Sequence, residues 1–131
     1  MIVVDNSVIV ALFFDEEDSD LVRQVRVKDN EWIAPPLWRS EFQNVAITKV
    51  RKGATDSEGA LLRYRWAEEI VETREMPPVE VILDLALRHR LSAYDATYAA
   101  LGITTAQHHV TFDEAILRAG LGIHPRDFLN L

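Results

Sequence analysis

An α/β fold, with a parallel sheet covered on both faces by helices, is what the chain's alternation of short strand-like runs and longer helical stretches predicts. Three observations carry that expectation. Strand-like runs recur at Ile2–Asp5, Trp32–Ala34 and His109–Thr111. Between them, apolar residues return at helical spacing. Prolines, hydroxyl residues and glycines stand where helices start and stop. Strands that alternate with helices pair in parallel and need cover on both faces.

Taken in order, Ile2 to Asp5 is short, β-branched and apolar, the composition of a buried parallel strand. Asn6 or Ser7 caps a helix to about Phe14. The acidic run 15–20 opens a second helix to about Lys28, at the end where the helix dipole favours negative charge; solvated helix start is its default reading. Asp29-Asn30 is a turn, and Trp32 to Ala34 a strand. Pro35-Pro36 opens a long helix to about Lys52, with Trp38, Phe42 and Val45 on one face and Glu41 at its border. Thr55 and Glu58 have capping-box spacing for a helix to about Val71, whose apolar line is Leu62, Trp66 and Ile70. Thr73 to Met76 reads as a short strand. Pro77-Pro78 opens a helix ending near His89. Ser92 caps one through Leu101, which Gly102 stops. A strand at His109–Thr111, a helix at 113–119 and an edge strand at 121–123 complete the chain.

With 131 residues, the chain has the size of a single domain spanning 1–131. It has no cysteine, which excludes disulfides, thiolate metal sites and thiol nucleophiles and fits a reducing compartment. The start, Met-Ile-Val-Val-Asp, lacks a basic leader, and no apolar run approaches the roughly 20 residues of a membrane span, so a cytoplasmic protein is expected. Net charge is −7, which argues against nucleic-acid binding by bulk charge. Phosphate contacts would fall to local cations such as Arg23, Arg26, Arg39, Lys49, Arg51, Lys52, Arg63, Arg65, Arg88 and Arg90.

Four acids stand at turning points of this pattern. Asp5 and Asp113 end strand-like runs, while Glu41 and Asp95 lie in the first turns of helices. In parallel α/β sheets, ligands gather beyond the carboxyl ends of the strands. Each acid alone has an ordinary explanation, as a helix cap or an exposed helical residue. Brought together, they repel, and a hard divalent cation with oxygen ligands relieves that repulsion. Ser7 and Thr111 each lie two residues from an acid and can orient it. Trp32, Trp38, Trp66, Tyr94 and Tyr98 read as packing residues, and the histidines show no paired ligand spacing. A serine-hydrolase reading fails for want of a glycine elbow, and no glycine-rich phosphate loop is present. An aspartyl-nucleophile phosphatase needs a second aspartate where Ser7 stands.

Four segments resemble the motifs of PIN domains, and of VapC-type toxins in particular. They are Val3–Leu12, Ala34–Val45, Leu91–Leu101 and Val110–Asp113, in order and with family-like spacing, the third being the most specific. The resemblance implies a PIN-like three-layer fold, a central parallel sheet flanked by helices. It implies that Asp5, Glu41, Asp95 and Asp113 are the catalytic and metal-binding acids of an Mg²⁺- or Mn²⁺-dependent endoribonuclease. It further implies RNA as substrate, a VapB-like antitoxin as partner and a homodimer. The antitoxin would lie across an apolar groove near the second motif, with Trp38, Phe42, Leu62 and Trp66 as candidates and at least half of these expected in the core. Asn6 replaces the small residue common beside the first aspartate and is harmless if its side chain turns away. Rival readings are a housekeeping RNA-processing nuclease and a non-catalytic binding module that keeps its acids only as caps.

Overall fold

The computed structural model describes residues 1–131. Four strands, β1 (Ile2–Val4), β2 (Trp32–Ala34), β3 (Val71–Thr73) and β4 (His109–Val110), form one sheet in the order β3-β2-β1-β4. Every pairing is parallel, in the register Val3↔Ile33, Val3↔His109 and Ile33↔Glu72. Helices α1 (Asn6–Phe13), α2 (Ser19–Lys28), α3 (Leu37–Arg51), α4 (Ser57–Ile70), α5 (Val79–His89), α6 (Ala93–Thr105), α7 (Glu114–Arg118) and α8 (Pro125–Leu129) flank it. The expected three-layer α/β architecture is therefore present.

The strand order matters for function. From β1 the chain builds outward through β2 and β3, then returns to add β4 on the other side of β1. Such a reversal opens a crevice beyond the carboxyl ends of the two strands that flank it. Here those strands are β1 and β4, and the residues that follow them include Asp5 and Asp113.

The core explains why the strands can be so short. β1 and β2 are buried along their whole length, so each side chain packs against a helix. From α3, Trp38 and Phe42 are fully buried and meet edge to face, with ring centroids 6.1 Å apart. Tyr64 of α4 stacks on Trp38 at 5.9 Å, and Phe13 of α1 and Phe14 just beyond its end close on Phe42. A second cluster, Ile82, Leu85, Ala96, Ala99 and Ala100, joins α5 to α6. No helix is long and apolar enough to cross a membrane.

Several local expectations change. The cap of α4 is Asp56, whose carboxylate accepts the Gly59 N–H at 2.7 Å, while the Thr55 hydroxyl meets Arg63. The same helix buries Ala67 with Ala60 and Tyr64 beside it, and leaves Leu62 and Trp66 about half exposed. Both stripes have helical periodicity, and the stacking of Tyr64 on Trp38 selects one. Trp66 and Tyr94 are thus surface residues rather than packing ones. β3 comes earlier than Thr73–Met76, following α4 without a loop because Val71 to Thr73 pair with β2.

Gly102 does not stop α6, which continues to Thr105 and ends at Ala106 in a left-handed conformation. A Cβ at Gly102 would lie 3.3 Å from the Gln107 carbonyl oxygen and 3.4 Å from the His109 Cβ, so the glycine permits close approach of α6 to β4. The expected edge strand at 121–123 is reduced to one parallel bridge, Val110↔Ile123, and α8 follows where no element was expected.

Candidate functional site

Asp5 leaves the carboxyl end of β1 and caps α1, its Oδ1 accepting the Val8 N–H at 3.4 Å and the Ser7 hydroxyl at 2.6 Å. The Thr111 hydroxyl donates to Oδ2 and itself accepts the Asp113 N–H at 2.9 Å. His109 Nε2 stands 3.6 Å from the same oxygen. Asp5 is only 7% exposed. An acid this deep is kept in place by its donors, for a buried carboxylate without them would be costly.

Asp113 caps α7 through the Ile116 N–H at 2.9 Å. Asp95, the third residue of α6, gives its N–H to the Ser92 hydroxyl at 3.1 Å. Glu41 lies in the second turn of α3, and the Tyr98 hydroxyl donates to its Oε1 at 2.5 Å. The cap explanation is therefore correct for Asp5 and Asp113, yet it is no alternative to convergence. All four acids line one cleft of about 570 Å³. Capping places a carboxylate at the first turn of a helix, and in this sheet those first turns share one edge.

Two further acids, Glu16 and Asp18, lie on the same cleft wall, and no lysine, arginine or histidine does. They belong to the run expected to be a solvated helix start. Asp18 is exposed, but Glu16 is half-buried and pairs with Lys49 at 2.7 Å. Asn6 also lines the cleft, and its Oδ1 is buried without a hydrogen-bond partner. Tyr98 and His109 were missed as site residues. Tyr98 shares the helical face that follows Asp95, a signal the sequence holds; nothing local marks His109.

The acids differ in charge state. Burial pushes the Asp5 carboxyl up, but His109, Ser7 and Thr111 together outweigh it and hold the group below its ordinary value of 3.8. Burial, with like charge from Asp5 and Asp95, raises Glu41 above 4.5 despite the Tyr98 hydroxyl. Burial and the charge of Asp113 raise Asp95 above 3.8. Burial and Glu41 hold the Tyr98 hydroxyl firmly protonated, so it serves as a donor.

In donor type the set fits a hard divalent cation: oxygen only, with no thiolate in the chain. In position, no three acidic or histidine side chains are grouped tightly enough to hold an ion as they stand. Carboxylates that share one cleft repel one another when no cation lies between them.

This repulsion has a measurable consequence. Glu41 and Asp95 bind protons more tightly folded than unfolded, so their charged forms disfavour the fold and acid relieves the penalty. Asp5 has the opposite sign, and its stabilising contribution is lost only as the pH falls through its depressed value. A variant carrying Glu41→Gln and Asp95→Asn is expected to melt higher than wild type near neutral pH without divalent ions. That advantage should disappear as the pH falls toward the ordinary carboxylate range. An advantage independent of pH would contradict the assignment.

Comparison with known proteins settles the family. The PIN domain family matches residues 2–121. The chain belongs to the PIN domain family. Among solved structures, the crystal structure of PAE2754 from Pyrobaculum aerophilum superposes with a TM-score of 0.78. It is 24% identical, over 98% of this chain and 85% of that one, a likeness that speaks to fold. No curated protein matches the sequence. The PIN fold is a nuclease-type fold, which gives the acidic cleft at its sheet edge a chemical context.

Proposed function

We propose that this PIN domain, taken as one unit over residues 1–131, is a divalent-metal-dependent endoribonuclease and the toxin of a VapBC-type toxin–antitoxin pair. The observation that carries the nuclease reading is the convergence of Asp5, Glu41, Asp95 and Asp113, from four separate elements, on one cleft without a basic side chain. Capping accounts for Asp5 and Asp113, but neither Glu41 nor Asp95 caps a helix with its carboxylate, so a module that kept its acids only as caps leaves these two unexplained.

Asp5, Asp95 and Asp113 would hold Mg²⁺ or Mn²⁺ directly or through water. When bound, the ion would neutralise charge on the scissile phosphate and acidify a water. Glu41 orients the attacking water and accepts its proton, a role suited by its raised proton affinity. The water oxygen bonds to phosphorus in line as the bond to the 3′ oxygen breaks. The 3′ oxygen takes up a proton, leaving a 3′-hydroxyl and a 5′-phosphate. Asp5, already ionised and fixed by three side-chain groups, sets the position of the site.

The partner reading draws support from the surface. Trp38 and Phe42 are core residues and leave the candidate antitoxin surface, whereas Leu62 and Trp66 are exposed. A groove of about 500 Å³ between α3 and α4, lined by Ala46, Ile47, Val50, Leu61 and Tyr64, has the apolar character to accept a partner segment. Val79, Leu83 and Leu87, four residues apart and exposed on α5, are the face on which a second copy would be sought.

Cleavage of a mixed RNA substrate by the purified protein tests the nuclease reading. Cleavage is expected with Mg²⁺ or Mn²⁺, and none with EDTA in excess. Undiminished cleavage under EDTA would remove the metal from the reaction. Growth arrest on expression, relieved by co-expressing a neighbouring small gene, separates a toxin from a housekeeping RNA-processing enzyme.

A further inference from the structure

Only four buried side-chain atoms in the molecule lack a hydrogen-bond partner, and three belong to Asn6 and His109, the residues beside Asp5. His109 contributes both ring nitrogens to that set. It is 3% exposed, out of reach of bulk solvent. Buried polar groups are ordinarily paired, and an imidazole with neither nitrogen bonded is a poor core filler. An apolar side chain of similar volume would serve the packing better, so packing alone does not account for it.

Its placement does. His109 opens β4 and pairs with Val3, two residues before Asp5, so the three side chains share one face of the sheet. Nε2 comes within 3.6 Å of Asp5 Oδ2, where a small rotation of either side chain closes a hydrogen bond. The ring stacks on Tyr98 with centroids 5.9 Å apart and planes 11° from parallel. Tyr98 in turn donates to Glu41. One imidazole therefore lies behind two of the four acids, touching one and supporting the donor to the other.

We infer that His109 is a positioning residue of the acidic cleft: through Nε2 it orients Asp5, and through its stack on Tyr98 it orients Glu41, to receive a divalent cation. This rests on the metal-dependent reading above. Groups that hydrogen-bond to metal-ligating carboxylates fix their orientation, and their loss commonly weakens metal binding about 10–100-fold.

The test measures Mn²⁺ affinity by calorimetry on the full chain, together with the thermal midpoint. His109→Phe keeps a ring against Tyr98 but removes both nitrogens. Its Mn²⁺ dissociation constant is expected to rise about tenfold or more, with a lower metal-free midpoint, because the buried Asp5 carboxylate loses a group that helps hold it ionised. His109→Gln, which restores a side-chain N–H, should recover part of the affinity. Should the phenylalanine variant fail to fold, His109→Gln and His109→Met, close in size and different in donor, carry the same comparison. Equal Mn²⁺ affinity in wild type and the donor-free variant would overturn the inference and leave the metal site standing. A wild-type protein that binds no Mn²⁺ would instead remove the metal-dependent reading, and the inference with it.

Discussion

Asp5→Asn is expected to lower RNA cleavage by roughly 10²–10³-fold, the scale on which a single preorganised electrostatic group counts in catalysis. The argument is local. Asp5 is the acid held below its ordinary value, so it alone among the shifted carboxylates keeps its charge more readily than a free aspartate does. Asparagine removes that charge and also mismatches its donors. The Val8 N–H and Ser7 hydroxyl point at one oxygen and the Thr111 hydroxyl at the other. Thr111 already accepts the Asp113 N–H, which turns its proton toward position 5. An asparagine NH₂ facing that hydroxyl would set donor against donor, a cost of about 1–3 kcal/mol for the group left unpaired. Some loss of stability is thus expected, and a comparison variant is needed. Asp95→Asn serves, because Asp95 is half-buried and relief of its repulsion offsets the change. It should lose cleavage while its thermal midpoint holds or rises. Wild-type rates in both variants would end the proposal that these acids do the chemistry.

The largest expected loss of stability is at Trp38. Its side chain is fully buried, lies against Phe42 and Tyr64, and donates its indole N–H to the Thr73 hydroxyl at 2.9 Å. Trp38→Ala opens a cavity between α3 and α4 and strands the Thr73 hydroxyl, a cost of about 3–5 kcal/mol on the scale of large aromatic truncations. For a domain of this size that corresponds to a midpoint lower by roughly 10–15 °C. Trp38→Phe keeps most of the packing and should lose much less. The cleft should also suffer, because α3 carries Glu41 three residues on. A midpoint within about 2 °C of wild type would show that α3 and α4 are held by something other than this cluster.

Much of the site was legible because its residues sit where local rules put them. Asp5 and Asp113 are caps, Asp95 follows a capping serine, and all three positions are set by neighbours within a few residues. The alternation of strand and helix then implied a shared sheet edge. Glu41 was legible only through the motif around it, since a glutamate in the first turns of a helix is ordinary. Where reading failed, two local patterns competed. On α4, Ala60, Tyr64 and Ala67 and the rival stripe of Leu62, Trp66 and Ile70 both repeat at helical spacing. The apolar weight favoured the second, while the aromatic stack on Trp38 buried the first. Gly102 likewise has the local look of a helix stop, and only the nearness of His109 shows why it sits inside α6.

The sequence by itself determined the fold class and the positions of Asp5, Asp95 and Asp113 at helix starts, because periodicity and helix caps are properties of neighbouring residues. Only the tertiary structure decided what surrounds those acids: His109 and Tyr98 behind them, and Glu16 and Asp18 lining the same cleft. These are contacts between residues up to about a hundred positions apart, created by the return of the chain to lay β4 beside β1. Local pattern carries no record of such a contact, since any residue that fits the strand would have left the pattern unchanged.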